Sequence, residues 1–376
     1  MVLKDNELKN IIEEDFNLLK KMEIPEYILY QKWCEINNKF KSADENVNIF
    51  FNTTVDPLPN FDKSIKNNIW VPEKWEDYID LEPEVIHVDN ENDRKIWNSL
   101  RIFICRMKWS KNIGRFANFY VKDKKTNKYL GVFSIGSDFM YVGGRDKYIG
   151  WTKEHKIDNG RLNHTCMGST IVPTQPIGYN YLGGKLMTLL VCSDVAENAW
   201  NSKYEEKLAG ITTTSLYGGF SQYNNLKYWK KCKSSEGKMI IEPSENVYNE
   251  IKKWYKDNYP EDYKRLIGKS HPKIKIIFKV LSLFKIKPPI NNAPRGVYFC
   301  SLYDNTIDFL SMKSDTLGNK KFDNSVESLV DLWKQKYASK RINKLIDDNR
   351  TKNGILFYDE LIGMSWEETK QKYLND

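Results

Sequence analysis

Two glycines and a lysine, Gly183-Gly184-Lys185, open a segment whose spacing predicts a helix. A helix interior favours alanine over glycine by about 1 kcal/mol, so adjacent glycines indicate that another group comes close to the backbone. That group is either a phosphate at the positive helix end, with Lys185 adding charge, or the neighbouring sheet in tight packing. Gln175 and Gly178 precede the helix and complete the predicted cofactor-binding turn.

Acid–base chemistry has its candidates at the end of a predicted strand over residues 129–135. Ser137-Asp138 ends this strand, and Asp138 could act as a general base towards an exocyclic amine. Arg145-Asp146 follows, and Arg145 could hold a phosphate in a bidentate contact. The alternative is an internal Asp–Arg pair that fixes a loop. His164 is a second candidate base, or a metal ligand with Asp138, unless it is an ordinary hydrogen-bonded histidine.

Hydroxyl-bearing and aromatic residues form the predicted substrate pocket. Thr212, Thr214 and Ser215 lie in a predicted strand, where their hydroxyls line a cleft unless the threonines serve only β-propensity. Ser221 is a good N-cap for a predicted helix over residues 221–231. The other candidates are polar or aromatic, and either contact a base or belong to the core: Trp151, Tyr217, Gln222, Tyr223 and Tyr228. We assign Tyr223 and Tyr228 as candidate proton donors.

The charge distribution favours a polyanionic partner. The chain has 376 residues and a net charge of +8. Residues 1–100 contain 21 acidic and 12 basic residues, a net charge of −9, whereas residues 101–376 have a net charge of +17. Such a basic portion predicts DNA as partner, because phosphate contacts release counterions. A lysine-rich solvated surface is the alternative.

Several classes of protein are excluded by the composition. No apolar run is long enough to span a membrane, and the acidic N-terminus is unlike a signal peptide. Six scattered cysteines without a CxxC pair indicate buried thiols rather than a disulfide framework. We therefore expect a cytoplasmic protein of a bacterial host or a phage-infected cell.

Three regions follow from the patterning. Residues 1–95 form an acidic, helical and loop-rich region, residues 96–243 a central unit, and residues 244–376 a basic, α-rich accessory region. The central unit alternates strands and helices, with a hairpin around residues 124–127. The predicted fold class is α/β (α+β), with a central mixed sheet flanked by helices and an N-terminal helical extension.

The order of elements in the central unit resembles GNAT-fold acyltransferases. Gln175-x-x-Gly178-x-Asn180 is similar to the acyl-CoA turn of that family, with asparagine in place of the last glycine or alanine. The chain also resembles the Druantia-type A protein family and the phage Mom-like DNA-modification proteins, which are themselves GNAT-like. The matching features are Leu130-Gly131, Arg145-Asp146, Ile149-Gly150-Trp151, Gly183-Gly184-Lys185-Leu186, Trp200, Tyr204, the Thr212–Thr214 strand, Tyr223 and Tyr228.

These resemblances imply a role in phage–host conflict. The first expectation is a GNAT-fold transferase that adds a small group to an extruded DNA base and so protects DNA from restriction. It would use an acyl-CoA-like or other phosphate-bearing donor, and it needs an open notch between two splayed strands. The alternatives are a catalytically inert DNA-binding component of phage defence or anti-restriction, and an acyl-CoA-dependent acyltransferase acting on a protein or small molecule. Neither a metal nor a target base is assigned.

Overall fold

The computed structural model describes most of the chain. The described residues are 3–42, 59, 61–74, 76–109, 114–175, 177, 182–215, 221–232, 238–267, 272–292, 295–349 and 356–374.

A seven-stranded mixed sheet forms the centre of the described structure. Its strands are β1 (Pro83–His87), β2 (Phe116–Asp123), β3 (Tyr129–Ser137), β4 (Thr165–Pro173), β5 (Gly210–Thr214), β6 (Trp229–Lys231) and β9 (Val297–Ser301). Their order is β1-β2-β3-β4-β5-β9-β6, so β6 is an edge strand. The remaining described strands, β7 (Lys238–Ile240) and β8 (Ile290–Asn292), form a separate two-stranded sheet.

The β4–β5 pair is parallel, whereas the other neighbours in the large sheet are antiparallel. A parallel connection needs a crossover, which α6 (Gly183–Leu190) and α7 (Asp194–Tyr204) supply. Pairing covers only Thr165–Met167 against Gly210–Thr212. Strand β4 continues to Pro173 and β5 to Thr214, but the two strands are not paired beyond these three residue pairs.

Helices cover both faces of the sheet and form a second core. The remaining described α-helices are α1 (Asp5–Leu19), α2 (Ile24–Ser42), α3 (Asp77–Asp80), α4 (Glu91–Ile104), α5 (Gly143–Ile149), α8 (Glu245–Asn258), α9 (Pro260–Ile267), α10 (Pro272–Leu283), α11 (Thr306–Leu310), α12 (Val326–Trp333), α13 (Ser339–Asp347) and α14 (Trp366–Leu374). The apolar stripe of α6 packs on the sheet together with α12. On the opposite face, α4 contacts β2 and β3, and α5 contacts β9.

The N-terminal helices pack with the C-terminal part of the chain. Leu8, Ile12 and Phe16 of α1 share a core with α8, α9 and α10.

A π-helical turn, Lys334–Ala338, joins α12 to α13. Among the described residues, no helix is long and apolar enough to cross a membrane.

The predicted fold class is confirmed: the mixed sheet is flanked by helices. The hairpin around residues 124–127 and the helix with the leucine stripe are also confirmed. The three-region division stays a prediction. Two strands of the central sheet, β1 and β9, come from the regions predicted to flank the central unit.

The predicted helix over residues 221–231 is wrong. Asn225 and Tyr228 have φ values of 55° and 74°, which an α-helix does not accommodate. The segment instead makes turns and ends in β6, which pairs with β9. Ser221 therefore caps a turn, where its Oγ accepts from the Tyr223 amide at 3.1 Å.

Candidate functional site

A buried carboxylate marks the point where β3 leaves the sheet. Asp138 is fully enclosed, and its Oδ1 lies 2.5 Å from Nη1 of Arg145. Thr212 Oγ1 and the Phe139 amide both donate to this carboxylate at 2.8 Å. Burial raises the pKa of the Asp138 carboxyl, and Arg145 and Thr212 offset part of that rise. The enclosed carboxylate is held by Arg145 and Thr212, and its role as a general base stays a prediction.

The ion cluster extends through two further side chains. Nε and Nη2 of Arg145 donate to Oδ1 of Asp146 at 2.9 and 2.7 Å. Nζ of Lys156 lies 2.6 Å from the other oxygen of Asp146. The Arg145 guanidinium also lies 4.9 Å from the centre of the Trp151 ring. We call Asp138, Arg145, Asp146 and Lys156 the buried ion cluster; its formal charges sum to zero.

The buried ion cluster positions a loop of exposed apolar side chains. Arg145 Nη2 donates to the Phe139 carbonyl at 2.7 Å, and Lys156 Nζ to the Met140 carbonyl at 2.8 Å. The side chains of Phe139, Met140 and Tyr141 are 61%, 47% and 66% exposed. We call Phe139–Tyr141 the apolar loop. Its backbone is fixed by cations while its side chains face solvent.

A cavity of about 210 Å³ lies between α5 and the edge strand β6. Its described lining is Gly144, Lys147, Tyr148, Lys231 and Cys232. None of these five residues is acidic, and two are lysines. Burial raises the pKa of the Cys232 thiol to about 11, despite the opposing effects of Arg145 and Lys230. The described lining therefore includes two lysines, a tyrosine and a cysteine whose thiol stays protonated.

Sequence reasoning missed both the cavity and the apolar loop. It singled out Arg145 and Asp146 but not the adjacent Lys147 and Tyr148. Lys231 reaches the cavity through the β6–β9 pairing, a contact between residues distant in sequence. The run Phe139-Met140-Tyr141 directly after a strand was the available signal, because three consecutive large apolar residues in a loop are unusual.

The glycine pair packs closely on protein groups. A Cβ added at Gly183 would lie 2.6 Å from Cβ of Pro173 and 2.9 Å from Ile177 Cγ2. A Cβ added at Gly184 would overlap the Gln222 side chain. Gln222 Nε2 donates to the Ile171 carbonyl of β4 at 3.2 Å. The notch beside β4 is therefore filled by Gln222 at this point, contrary to the expected opening.

Two other predicted cofactor residues are also engaged by the protein. Nζ of Lys185 donates to the carbonyls of Gln222 and Asn224 at 3.2 and 2.7 Å. Burial lowers the pKa of this ammonium group, and Lys336 lowers it further. Gln175 Oε1 accepts from the Leu356 amide at 2.8 Å. The assignment of these residues to a cofactor stays a prediction.

The remaining candidates are dispersed. His164 Nδ1 lies 2.9 Å from the Lys207 carbonyl, and its Nε2 lies 3.5 Å from Glu206. Tyr228 stacks on Phe322 with ring centres 3.8 Å apart. Tyr223 contacts the rings of Trp229 and Tyr298, and burial raises its pKa. Ser137 Oγ accepts from the Arg115 amide, Ser215 Oγ accepts from the Gly296 amide, and Thr214 pairs with Val297.

Gly178 and Tyr217 lie outside the described residues. Within the described ranges, no group of three or more His, Cys, Asp or Glu side chains could hold a metal ion. The structure thus brings together Asp138, Arg145, Asp146, Trp151 and Thr212 at one place, and Gly183, Gly184, Lys185 and Gln222 at another.

Comparison with known proteins gives a family model and a curated relative of the same description. A family model described as "Druantia protein DruA" matches residues 59–312. A curated relative, the Druantia protein DruA of Escherichia coli (strain UMEA 4076-1), is 28% identical over 147 residues. That match covers 35% of this chain and 36% of the relative, so the chain spans little more than a third of the relative's length. No solved structure matches. Since the family model covers more than half of its residues, this chain belongs to the Druantia DruA family.

Proposed function

We propose that this protein is a DNA-contacting component of a phage-defence system, acting in the cytoplasm of the bacterial host. The observation that carries the proposal is the cavity at the sheet edge, whose described lining contains Lys147 and Lys231 and no acidic residue. Membership of the Druantia DruA family supports the defence context. We infer that a backbone phosphate of DNA binds in this cavity.

The chemistry of the lining suits a phosphate. Two ammonium groups supply charge, and the Tyr148 hydroxyl supplies a hydrogen-bond donor. The neighbouring acids, Asp138 and Asp146, are each within salt-bridge distance of a cation and so repel an approaching anion little. The net charge of +17 on residues 101–376 favours approach of DNA from a distance.

The test is the salt dependence of DNA binding. The Lys147→Gln/Lys231→Gln double variant should bind a labelled duplex more weakly. It should also lower the magnitude of the slope of log affinity against log salt by about 1, since the two lysines together bind one phosphate. Fluorescence anisotropy at several salt concentrations measures both quantities.

Lys20→Gln/Lys21→Gln is the matched control. It removes the same charge from an exposed turn between α1 and α2. For this control, the slope of log DNA affinity against log salt should equal that of the parent protein. A cavity variant with an unaltered slope, or a parent protein with no DNA affinity at all, would refute the proposal.

A second candidate function is a base-modifying transferase of the Mom-like, GNAT type. The observation in its favour is the parallel β4–β5 pair, which parts after three residue pairs beside α6. Against it stand the Gln222 side chain that fills the space at Gly184 and the enclosure of Asp138. A transferase would use a phosphate-bearing or acyl-CoA-like donor near Gly183, Gly184 and Lys185.

Mass spectrometry of nucleosides separates the two candidates. A transferase should leave a new modified nucleoside in the DNA of expressing cells, and a folded Asp138→Asn variant should not. A DNA-binding component leaves the nucleoside profile unchanged. Thermal stabilisation by coenzyme A without DNA affinity would instead indicate an acyltransferase acting on a protein or small molecule.

A further inference from the structure

We infer that the apolar loop, Phe139–Tyr141, stacks on the bases of unpaired DNA. The inference rests on the proposed function, because it names the part of the nucleic acid that is bound next to the phosphate cavity. It goes further by assigning to this protein a preference for unpaired over duplex DNA.

The exposure of the apolar loop is the first argument. Isolated exposed apolar residues are common on protein surfaces and need no explanation. Here three consecutive large side chains are exposed, and each is close to half exposed or more. Two of them carry aromatic rings. Their free faces are available to a flat partner, and every DNA base offers such a face.

The rigidity of the apolar loop is the second argument. The Phe139 amide donates to Asp138, and the Phe139 and Met140 carbonyls accept from Arg145 and Lys156. Lys156 also lies 4.5 Å from the centre of the Tyr141 ring. A loop held in this way loses little conformational freedom on binding, so stacking energy is retained as affinity.

The position of the apolar loop next to the cavity is the third argument, and it selects DNA as the occupant. Tyr141 is three residues from Gly144 in the cavity lining, so their Cα atoms are at most about 11 Å apart. A nucleic-acid strand that places a phosphate between Lys147 and Lys231 brings its bases within reach of the rings. Basic grooves interleaved with aromatic side chains are the usual means of binding single strands.

The experiment compares two nucleic-acid probes with the full chain. We expect tighter binding of an oligothymidylate of about 20 nucleotides than of a duplex of equal length at the same salt concentration. Phe139→Ala and Tyr141→Ala should each weaken oligothymidylate binding by about tenfold, with little effect on the duplex. Because stacking releases no counterions, the salt slope of these variants should equal that of the parent protein.

Two further variants guard against indirect effects. Tyr141→Phe keeps the ring and should bind like the parent protein. The Leu18→Ala/Val71→Ala control alters side chains that are 53% and 44% exposed elsewhere, and it should also bind normally.

Failure of the inference is distinct from failure of the proposed function. If the parent protein binds DNA and the lysine variants lower the salt slope, but Phe139→Ala and Tyr141→Ala bind oligothymidylate normally, the apolar loop does not stack on bases. If neither probe binds, the proposed function itself fails. Loss of binding to anionic lipid vesicles in the loop variants, with DNA binding unchanged, would assign the apolar loop to a membrane surface.

Discussion

Arg145 lies at the centre of the buried ion cluster and contacts four surrounding groups. Its guanidinium contacts the carboxylates of Asp138 and Asp146, the Phe139 carbonyl and the Trp151 ring. Burying an isolated charge is costly, but a buried ion cluster in which each charge has a partner avoids most of that cost. The residue therefore sets both the charge of its surroundings and the position of the apolar loop.

Replacing Arg145 should be severely destabilising. Arg145→Met leaves the fully enclosed Asp138 without its cation, and removing one member of a buried pair costs about 3–5 kcal/mol. Urea unfolding followed by circular dichroism measures the free energy of unfolding. Arg94→Met, which breaks an exposed pair with Glu91, should cost less than about 1 kcal/mol. Equal losses in the two variants would contradict this account.

Among single residues, the sequence singles out Asp138 and Arg145 near β3 but leaves their roles open. The sequence offers Asp138 as a catalytic base and Arg145 as a phosphate contact, with an internal ion pair as the alternative, and in the structure the two side chains form a buried ion pair. Burial decides between these roles, and burial depends on contacts with distant residues such as Thr212. Local sequence carries little information about such contacts.

Among the elements, α6 shows that close packing can by itself account for two glycines at the start of a helix. Its first residues lie against Pro173, Ile177 and Gln222, with no room for a Cβ. Periodicity predicted the helix, because its leucine stripe is local in sequence. The segment before β6 was predicted wrongly, because Asn225 and Tyr228 adopt positive φ values, which a tyrosine rarely does and which helical spacing does not reveal.

Gly183→Ala tests whether packing explains the first glycine. Alanine is the better helix former by about 1 kcal/mol, but here its Cβ would overlap Pro173 and Ile177. Overpacking of this kind costs about 1–3 kcal/mol, so we expect a net loss of stability. Thermal unfolding of the purified variant measures it.

Gly143→Ala is the matched control for this variant. Gly143 also opens a helix, α5, and an added Cβ would meet nothing within 4 Å. Its effect should be neutral or stabilising. A Gly183→Ala protein as stable as the parent would show that the space is free, and would strengthen the case for a cofactor at this turn.

At the scale of the whole molecule, the sheet depends on segments far apart in the chain. Strand β9 joins β5 to β6, and α12 covers one sheet face, where Trp333 Nε1 donates to the Leu182 carbonyl at 2.9 Å. The family match ends at residue 312, before α12 begins. The alternation of strand and helix patterns predicted the α/β class, whereas the pairing of β9 with β5 and β6 joins segments too far apart for local patterns to show.

A fragment of residues 59–312 should therefore fold poorly. It lacks Leu329, Val330 and Trp333, which are buried in the main core. We expect it to bind the dye ANS and to unfold without a cooperative transition, as exposed apolar surface implies. A fragment of residues 59–349 restores α12 and should recover cooperative unfolding of the sheet. Cooperative melting of the shorter fragment would locate the folding unit within the family match.

The π-helical turn between α12 and α13 has a consequence for length variation in this region. Buried Trp333 and Ala338 are five residues apart, one more than the usual helical repeat, and the wider turn keeps both on the same side. Shortening the chain by one residue at Gln335 would leave an unbroken α-helix with its inner stripe still aligned. The same deletion at Ser328 would rotate the helical residues before it by about 100° and turn the buried Val326 outward. We therefore expect insertions and deletions among related proteins to occur at this π-helical turn.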